Sequence, residues 1–493
     1  MISGHGRSIF GARIKRRRFG IAAAIAGIVS GCTILDPHVP TPEIDLPDAY
    51  IKKSPNALRP AASPYDFAVF KSRRLTELIA LGRGFNLDIG AAIARIQQAE
   101  AQVRIATQAL IPTIQAQGSG SQSLTHLRGN AVRSTTVIAE LSASYEIDFW
   151  GKNHAAVYSA IANEKASSFD AATVAITADA NVATTYFNVI ATQKQIDVAK
   201  ANLAIAQRVL DAIVARNKAG TASGLDVAQQ QTLVDNVKVT IPPLERQREQ
   251  FKHALAVLVG TAPEFFQYKG EDLYAVAVPS IPPGLPSELL CRRPDIANAE
   301  ALLSAEKFTV SSARAALFPS IQLTGVGGFQ SVALASLFQP QNLFYNAMVG
   351  ITQPLTNAYQ LQAILDQNRA RYGELLEDYR RVIISAFQDV EDSLIAYQKD
   401  AEQERLQRMA VTSARRAYDI SQAQLRGGII DVTTLLQIQQ TLFTAENALA
   451  LVRQSRLQAA VSLYRSLGGG WYKFGDSGIA EVPSLIEVKA KTP

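Results

Sequence analysis

The sequence predicts an α+β membrane protein with an internal tandem repeat, each chain supplying four strands to a shared β-barrel. Three observations carry this: a chain written twice, segments of about ten residues that alternate apolar and polar, and helical runs too long for a globular core.

Residues 1–31 read as a targeting peptide. Arg7, Arg13, Lys15, Arg16, Arg17 and Arg18 make a basic start. An apolar stretch runs from Phe19 to Val29, about 11 residues where a membrane-spanning helix needs about 20. Val29-Ser30-Gly31 then leads into Cys32, the pattern of a lipoprotein signal. Cys32 is expected to open the mature chain carrying diacylglycerol and an N-acyl lipid, and no cofactor is expected. The six basic residues removed reduce the charge of 49 Lys+Arg against 43 Asp+Glu to neutrality, so the basic pI of 9.1 does not signal a nucleic-acid partner. Cys291 is left without a partner; no disulfide can form within the chain, and a packed, unreactive thiol is expected. No later run of 18 apolar residues exists, so a membrane crossing would require a closed barrel.

The repeat appears at a shift of 207. Asp88-Ile89 matches Asp295-Ile296, Ala109-Leu110 matches Ala316-Leu317, and Pro112, Ile114-Gln115, Gly118 and Gly120 match Pro319, Ile321-Gln322, Gly325 and Gly327. Farther on, Asp226-Val227 matches Asp431-Val432. The division follows: 32–71 an extended, proline-rich segment laid over the helices, 72–262 the first repeat, 263–291 a connector, 292–470 the second repeat, and 471–493 a tail.

Each repeat has one plan: a helix (88–110; 294–317) halted by proline, two strands (112–127 and 134–148; 319–330 and 343–354), a long helix (150–217; 357–425), a glycine-containing break, and a helix of about 35 residues (224–258; 431–466). At 1.5 Å per residue the long helix spans roughly 100 Å. Val182, Val189, Ile196, Leu203 and Leu210 fall seven apart, a coiled-coil seam. In the strands, Val137, Ala139, Leu141, Ala143, Tyr145 and Ile147 alternate with a face holding Glu140, Glu146 and Asp148. Leu343, Tyr345, Ala347, Val349 and Ile351 alternate with Phe344, Asn346, Met348, Gly350 and Thr352. Four strands cannot close, and hydrocarbon forbids an open edge, so several copies must join. Two copies would nearly fill their interior; three, with about twelve strands, leave a passage.

Arg292-Arg293-Pro294-Asp295-Ile296 with Ala313-Arg314-Ala315-Ala316-Leu317-Phe318-Pro319-Ser320-Ile321 resembles the signature of the TolC-like outer-membrane efflux family, and its NodT-type lipoprotein branch in particular. Tyr145-Glu146-Ile147-Asp148-Phe149-Trp150-Gly151-Lys152 and Leu467-Gly468-Gly469-Gly470-Trp471 are similar to other family motifs. The resemblance spans residues 32–471. It implies a homotrimer lipid-anchored in the outer membrane, a 12-stranded barrel continued by a helical periplasmic barrel, and partnership with a periplasmic adaptor and an inner-membrane pump. Arg293, Pro294, Asp295 and Pro319 are read as structural, Pro294 opening a helix at N1. The family's iris-like closure implies a gate near the breaks Lys218–Gly224 and Arg426–Ile430. Asp431, Asp226 and Gln437 are the gate candidates; the aspartates equally suit helix capping, and Gln437 stands where relatives often carry an acid.

No catalytic constellation emerges. The five histidines lack metal-ligand spacing, and no nucleophile elbow or phosphate-binding loop is present. Three functions fit: a passive exit duct for drugs or toxic small molecules, a similar duct for type I polypeptide secretion, and a non-channel coiled-coil envelope lipoprotein. The lipid anchor and the Arg-Pro-Asp-Ile motif favour the first.

Overall fold

A computed structural model describes residues 50–51 and 67–471, apart from 128, 129, 269, 283 and 285. The targeting peptide, Cys32, most of the 32–71 segment and the tail beyond Trp471 lie outside the described residues. In chain order the main elements are α1 (Arg73–Phe85), α2 (Leu87–Thr107), β1 (Thr113–Leu127), β2 (Asn130–Ile147), α3 (Lys152–Lys218), α4 (Gly224–Leu258), α5 (Pro294–Ala315), β3 (Ser320–Ser331), β4 (Leu343–Thr352), α6 (Ala358–Arg426) and α7 (Val432–Ser466). Helix α1 is an element the sequence reading did not separate. Its Ser72 side chain caps it by accepting from the Leu75 amide at 3.1 Å.

The described residues fall into two compact units. One comprises Gln97–Lys165 and Glu300–Tyr379; the other comprises 50–51, 67–96, Ala166–Ala299 and 380–471.

Among the described residues one sheet is present, in the first unit, antiparallel throughout in the order β1-β2-β3-β4. Each repeat contributes one hairpin, and the β2–β3 pairing joins them. Helices α5 and α6 pack here through Leu303, Val310, Leu365, Tyr372 and Leu376. Tyr158 meets Phe308, and Ser159 hydrogen-bonds Thr309 at 3.0 Å, so α3 and α5 also touch.

In the second unit the heptad positions Val182, Val189, Ile196 and Leu210 are buried, while Leu203 is half-buried. One buried ionic cluster anchors the connector. Glu404 of α6, 1% exposed, receives Arg408, Arg453 and Arg456, and Arg453 also donates to the Val276 carbonyl. The connector is pinned again where Tyr397 donates to the Pro279 carbonyl at 2.6 Å, and where the Ala277 amide donates to the Phe70 carbonyl at 2.9 Å. Cys291 is exposed, contrary to the packed thiol expected. The single turn Leu289–Arg292 buries Leu289 and thereby rotates Cys291 outward.

Candidate functional site: a two-faced strand wall and two helix breaks

Directly opposed residues of an antiparallel sheet share a face, so the register sorts every strand residue. Leu141 of β2 lies between Ala116 of β1 and Gly327 of β3, and Gly327 faces Tyr345 of β4. One turn of the alternation away, Ala143 lies between Ile114 and Gly325, and Gly325 faces Ala347. Tyr145 faces Leu323, which faces Val349; Ile147 faces Ile321, which faces Ile351. This face is apolar across all four strands. Most of its large side chains are exposed in the single copy, with Ile114, Tyr345 and Ile351 71%, 87% and 71% accessible, while Tyr145 and Ile321 are half-buried.

The opposite face carries Gln115, Gln117 and Ser119 on β1, Glu140, Ser142, Ser144 and Glu146 on β2, Gln322 and Thr324 on β3, and Asn346 and Thr352 on β4. Ile138, Val326, Phe344 and Met348 are the apolar intrusions. In the glycine run of β3, only Gly328 is forced by space: a Cβ there would lie 2.3 Å from the Ala139 carbonyl oxygen. Among the described residues β1 and β4 each pair on one side alone, leaving two free edges.

The two repeats clasp each other at the base of this wall. Trp150 donates from Nε1 to the Pro319 carbonyl at 2.7 Å, stacks on Phe318 with ring centroids 4.8 Å apart, and meets Phe149 edge-on. Gly151 turns the chain at φ 76°, and Asp148 then receives the His154 amide at 2.7 Å and its ring Nδ1 at 2.6 Å. Lys152 pairs with Glu146 at 2.6 Å. Pro319 thus offers its carbonyl to the indole of the other repeat. Pro294 is the first residue of α5, and Arg293 before it binds Asp295 at 2.7 Å, Asp389 of α6 at 3.0 Å and the Ser466 carbonyl of α7 at 3.3 Å. Arg293 and Asp295 therefore tie three helices together.

Both helix breaks, in the second unit, use one device. Gly220 (φ 77°) and Gly428 (φ 70°) occupy the left-handed position after α3 and α6. The Thr221 amide reaches back to the Arg216 carbonyl at 2.9 Å, and the Ile429 amide to the Gln424 carbonyl at 2.9 Å, which ties back a late carbonyl of each helix. The following starts differ. Asp431 is the N-cap of α7 and accepts from the Thr434 amide at 2.8 Å, whereas Asp226 sits inside the first turn of α4. There Asp226 closes a capping box with Ser223: the Asp226 amide donates to Ser223 Oγ at 3.1 Å, and the Ser223 amide donates to Asp226 at 2.8 Å. Hydrogen bonds from Thr434 hold the Asp431 carboxyl below its usual range. Residues matched by the repeat thus carry different capping roles.

Gln437 is exposed and lines a cleft of about 770 Å³ between α3, α4 and α7. Asn202, Gln229, Asn236, Thr240 and Gln440 also line it, and no charged side chain does. Below the breaks, Val209, Ile213, Tyr418, Val432, Leu435 and Leu442 form an apolar cluster joining α3, α6 and α7. Among the described residues no helix is long and apolar enough to cross a membrane, and no group of His, Cys, Asp or Glu is set to hold a metal.

The family model described as "Outer membrane efflux protein" matches residues 79–261 and 285–469, one segment per repeat. The pyoverdine export outer membrane protein OpmQ of Pseudomonas aeruginosa is 40% identical over 395 residues, covering 78% of this chain and 82% of that protein. The toluene efflux pump outer membrane protein TtgC of Pseudomonas putida is 31% identical over 481 residues, covering 94% and 98%. In fold, the crystal structure of the Campylobacter jejuni CmeC outer membrane channel superposes with a TM-score of 0.83 at 22% identity, covering 90% of this chain and 96% of that one.

Proposed function

From the premise that the chain belongs to the outer membrane efflux protein family, we propose that it is the outer-membrane exit duct of a tripartite system exporting small molecules. The observation that carries this reading is the sheet with one apolar face, one polar face and two free edges. The apolar face turns to hydrocarbon and the polar face to a water-filled lumen, the alternation a transmembrane barrel requires. A free edge in lipid costs several kcal/mol per unpaired backbone group, so β1 of one copy pairs with β4 of the next. Three copies bring about twelve strands and leave a passage.

Cys32, acylated after removal of residues 1–31, tethers the chain to the outer membrane, and the helices project into the periplasm. The duct is passive and catalyses nothing; an inner-membrane pump supplies the energy and a periplasmic adaptor bridges the two. The breaks at Gly220 and Gly428 form the periplasmic end, where Asp431, with Asp226 and Gln437 nearby, sets the charge around the constriction. The relatives named for pyoverdine and for toluene carry unlike molecules. Cargo choice accordingly rests with the pump, and small-molecule export is preferred over polypeptide secretion.

Purified protein in planar bilayers should give discrete conductance steps; silence under all ionic conditions refutes a duct. Deleting the gene should sensitise cells to dyes, detergents or antibiotics. A secretion defect with unchanged sensitivity would instead favour the polypeptide duct.

A further inference from the structure

The two hairpins end in unlike chemistry. In sequence the first hairpin carries His126, Arg128 and Arg133 around its connection, whereas the second lies in a stretch with no charged residue or histidine between Arg314 and Asp366. The second hairpin is also shorter: β3 ends at Ser331 opposite Val137, so Asn130–Thr136 of β2 run on paired with β1 alone. The apolar face of β2, Val137 to Ile147, is about 11 residues at roughly 3.3 Å each. Tilted by about 40°, it rises roughly 28 Å, close to the apolar band of an outer-membrane barrel. The loop from Ser331 to Leu343 therefore begins where that band ends.

This loop is folded over the apolar face. Phe329 lies on that face, opposite Ala139 and Leu343, and the Phe338 ring meets the Phe329 ring edge-on, centroids 5.5 Å apart. Ser331, also on that face, bonds Ser336 at 2.7 Å, and Asn342 donates to the Ser336 carbonyl at 2.6 Å. The amides of Ser336, Leu337, Gln339 and Asn342 all find carbonyls within the loop. Leu337 is buried beneath it, while Val332, Leu334 and Phe338 are 76%, 72% and 70% exposed. The loop is folded back on itself by these bonds, and it displays apolar side chains without charge. That charge-free apolar display suits hydrocarbon and wastes apolar surface in water.

We propose that the β3–β4 loop is a lipid-seated cuff, set against the outer leaflet with Val332, Leu334 and Phe338 among acyl chains. This rests on the barrel reading above, in which the apolar face meets lipid. His126 and Arg133, on the strands of the first hairpin past the level of Ser331, stand beyond it in water.

The test uses nitroxides on full-length protein in phosphatidylcholine–phosphatidylglycerol vesicles, in a Cys291→Ser background. Labels go on Val332→Cys and Leu334→Cys, with Val349→Cys on the strand face and Ala131→Cys beyond the first turn as references. Collision with oxygen, which concentrates in lipid, is compared with collision with a water-soluble nickel chelate. The expected oxygen-to-nickel ratio at 332 and 334 matches that at 349 and is severalfold above that at 131. A nickel-dominated ratio at 332 and 334, with 349 lipid-like, overturns the cuff and leaves the barrel standing. Shielding from both reagents would place the loop against another copy of the chain and also overturns it. A water-like ratio at 349 fails the barrel reading itself.

Discussion

A Cβ on Gly468 would lie 1.9 Å from the carbonyl oxygen of Arg292, and one on Gly260 would lie 2.0 Å from that of Phe85. The two repeats make the same backbone contact, each at the foot of its second coiled-coil helix. Both glycines have positive φ, 90° and 72°. Gly468→Ala and Gly260→Ala should each destabilise by about 2–4 kcal/mol, the sum of left-handed strain and overpacking. Gly373→Ala, inside α6 with nothing within 4 Å, should instead stabilise by about 0.5–1 kcal/mol. Unfolding of the solubilised protein checks both signs.

Among the described residues Glu404 is the one carboxylate that pairs with the buried Arg453, which also donates to the Val276 carbonyl. Burial pushes its pKa up, but hydrogen bonds from Arg456 and Arg408 and the charge of Arg453 outweigh that and hold it below the usual value. Glu404→Gln should cost about 3–5 kcal/mol, because it strands a buried guanidinium. With a folded pKa below the unfolded one, the stabilisation is full above the ordinary glutamate range, near pH 4.3, and is lost as pH falls through the folded value. Acid unfolding curves of wild type and variant should therefore converge at low pH.

Asp431 separates capping from gating. Asparagine caps helices as well as aspartate, so Asp431→Asn should leave the thermal midpoint near wild type while altering the salt dependence of channel opening. Asp431→Ala should lower the midpoint as well. Since the Asp431 pKa is lowered by Thr434, its capping contribution is present above the ordinary aspartate range and fades as pH falls below it. Thermal melts and single-channel records of the two variants check this; unchanged gating in Asp431→Asn would leave capping as its role.

Val349 and Met348 are neighbours on opposite faces of β4. In the proposed barrel Val349→Arg, on the lipid face, should cost up to about 2–4 kcal/mol per copy, whereas Met348→Arg, on the lumen face, should be tolerated and should shift conductance toward anions. Assembly yield and reversal potentials read the two effects.

Much of this architecture is legible in the sequence because its periods are long. Alternation locates the four strands, though β2 starts at Asn130 rather than at 134; the breaks show in Gly220 and Gly428, and the repeat in identities at a shift of 207. Helix α1 was missed although Leu75, Leu78, Ile79 and Gly82, its buried positions, already show helical spacing after the capping Ser72. The ties of Glu404 to Arg453 and of Arg293 to Asp389 join residues 49 and 96 apart, and no local pattern announces such partners. The outward turn of Cys291 likewise depends on Leu289 finding a buried site.

Joining of strands across copies is the claim everything else leans on, and disulfide trapping reads it directly. In a Cys291→Ser background, Gln117→Cys on β1 is combined in turn with cysteines along β4 from Phe344 to Thr352. At the matching register, oxidation should yield covalent dimers and trimers on a denaturing gel. Bands of a single chain at every register would mean that β1 and β4 never meet between copies, and the duct would lose its wall.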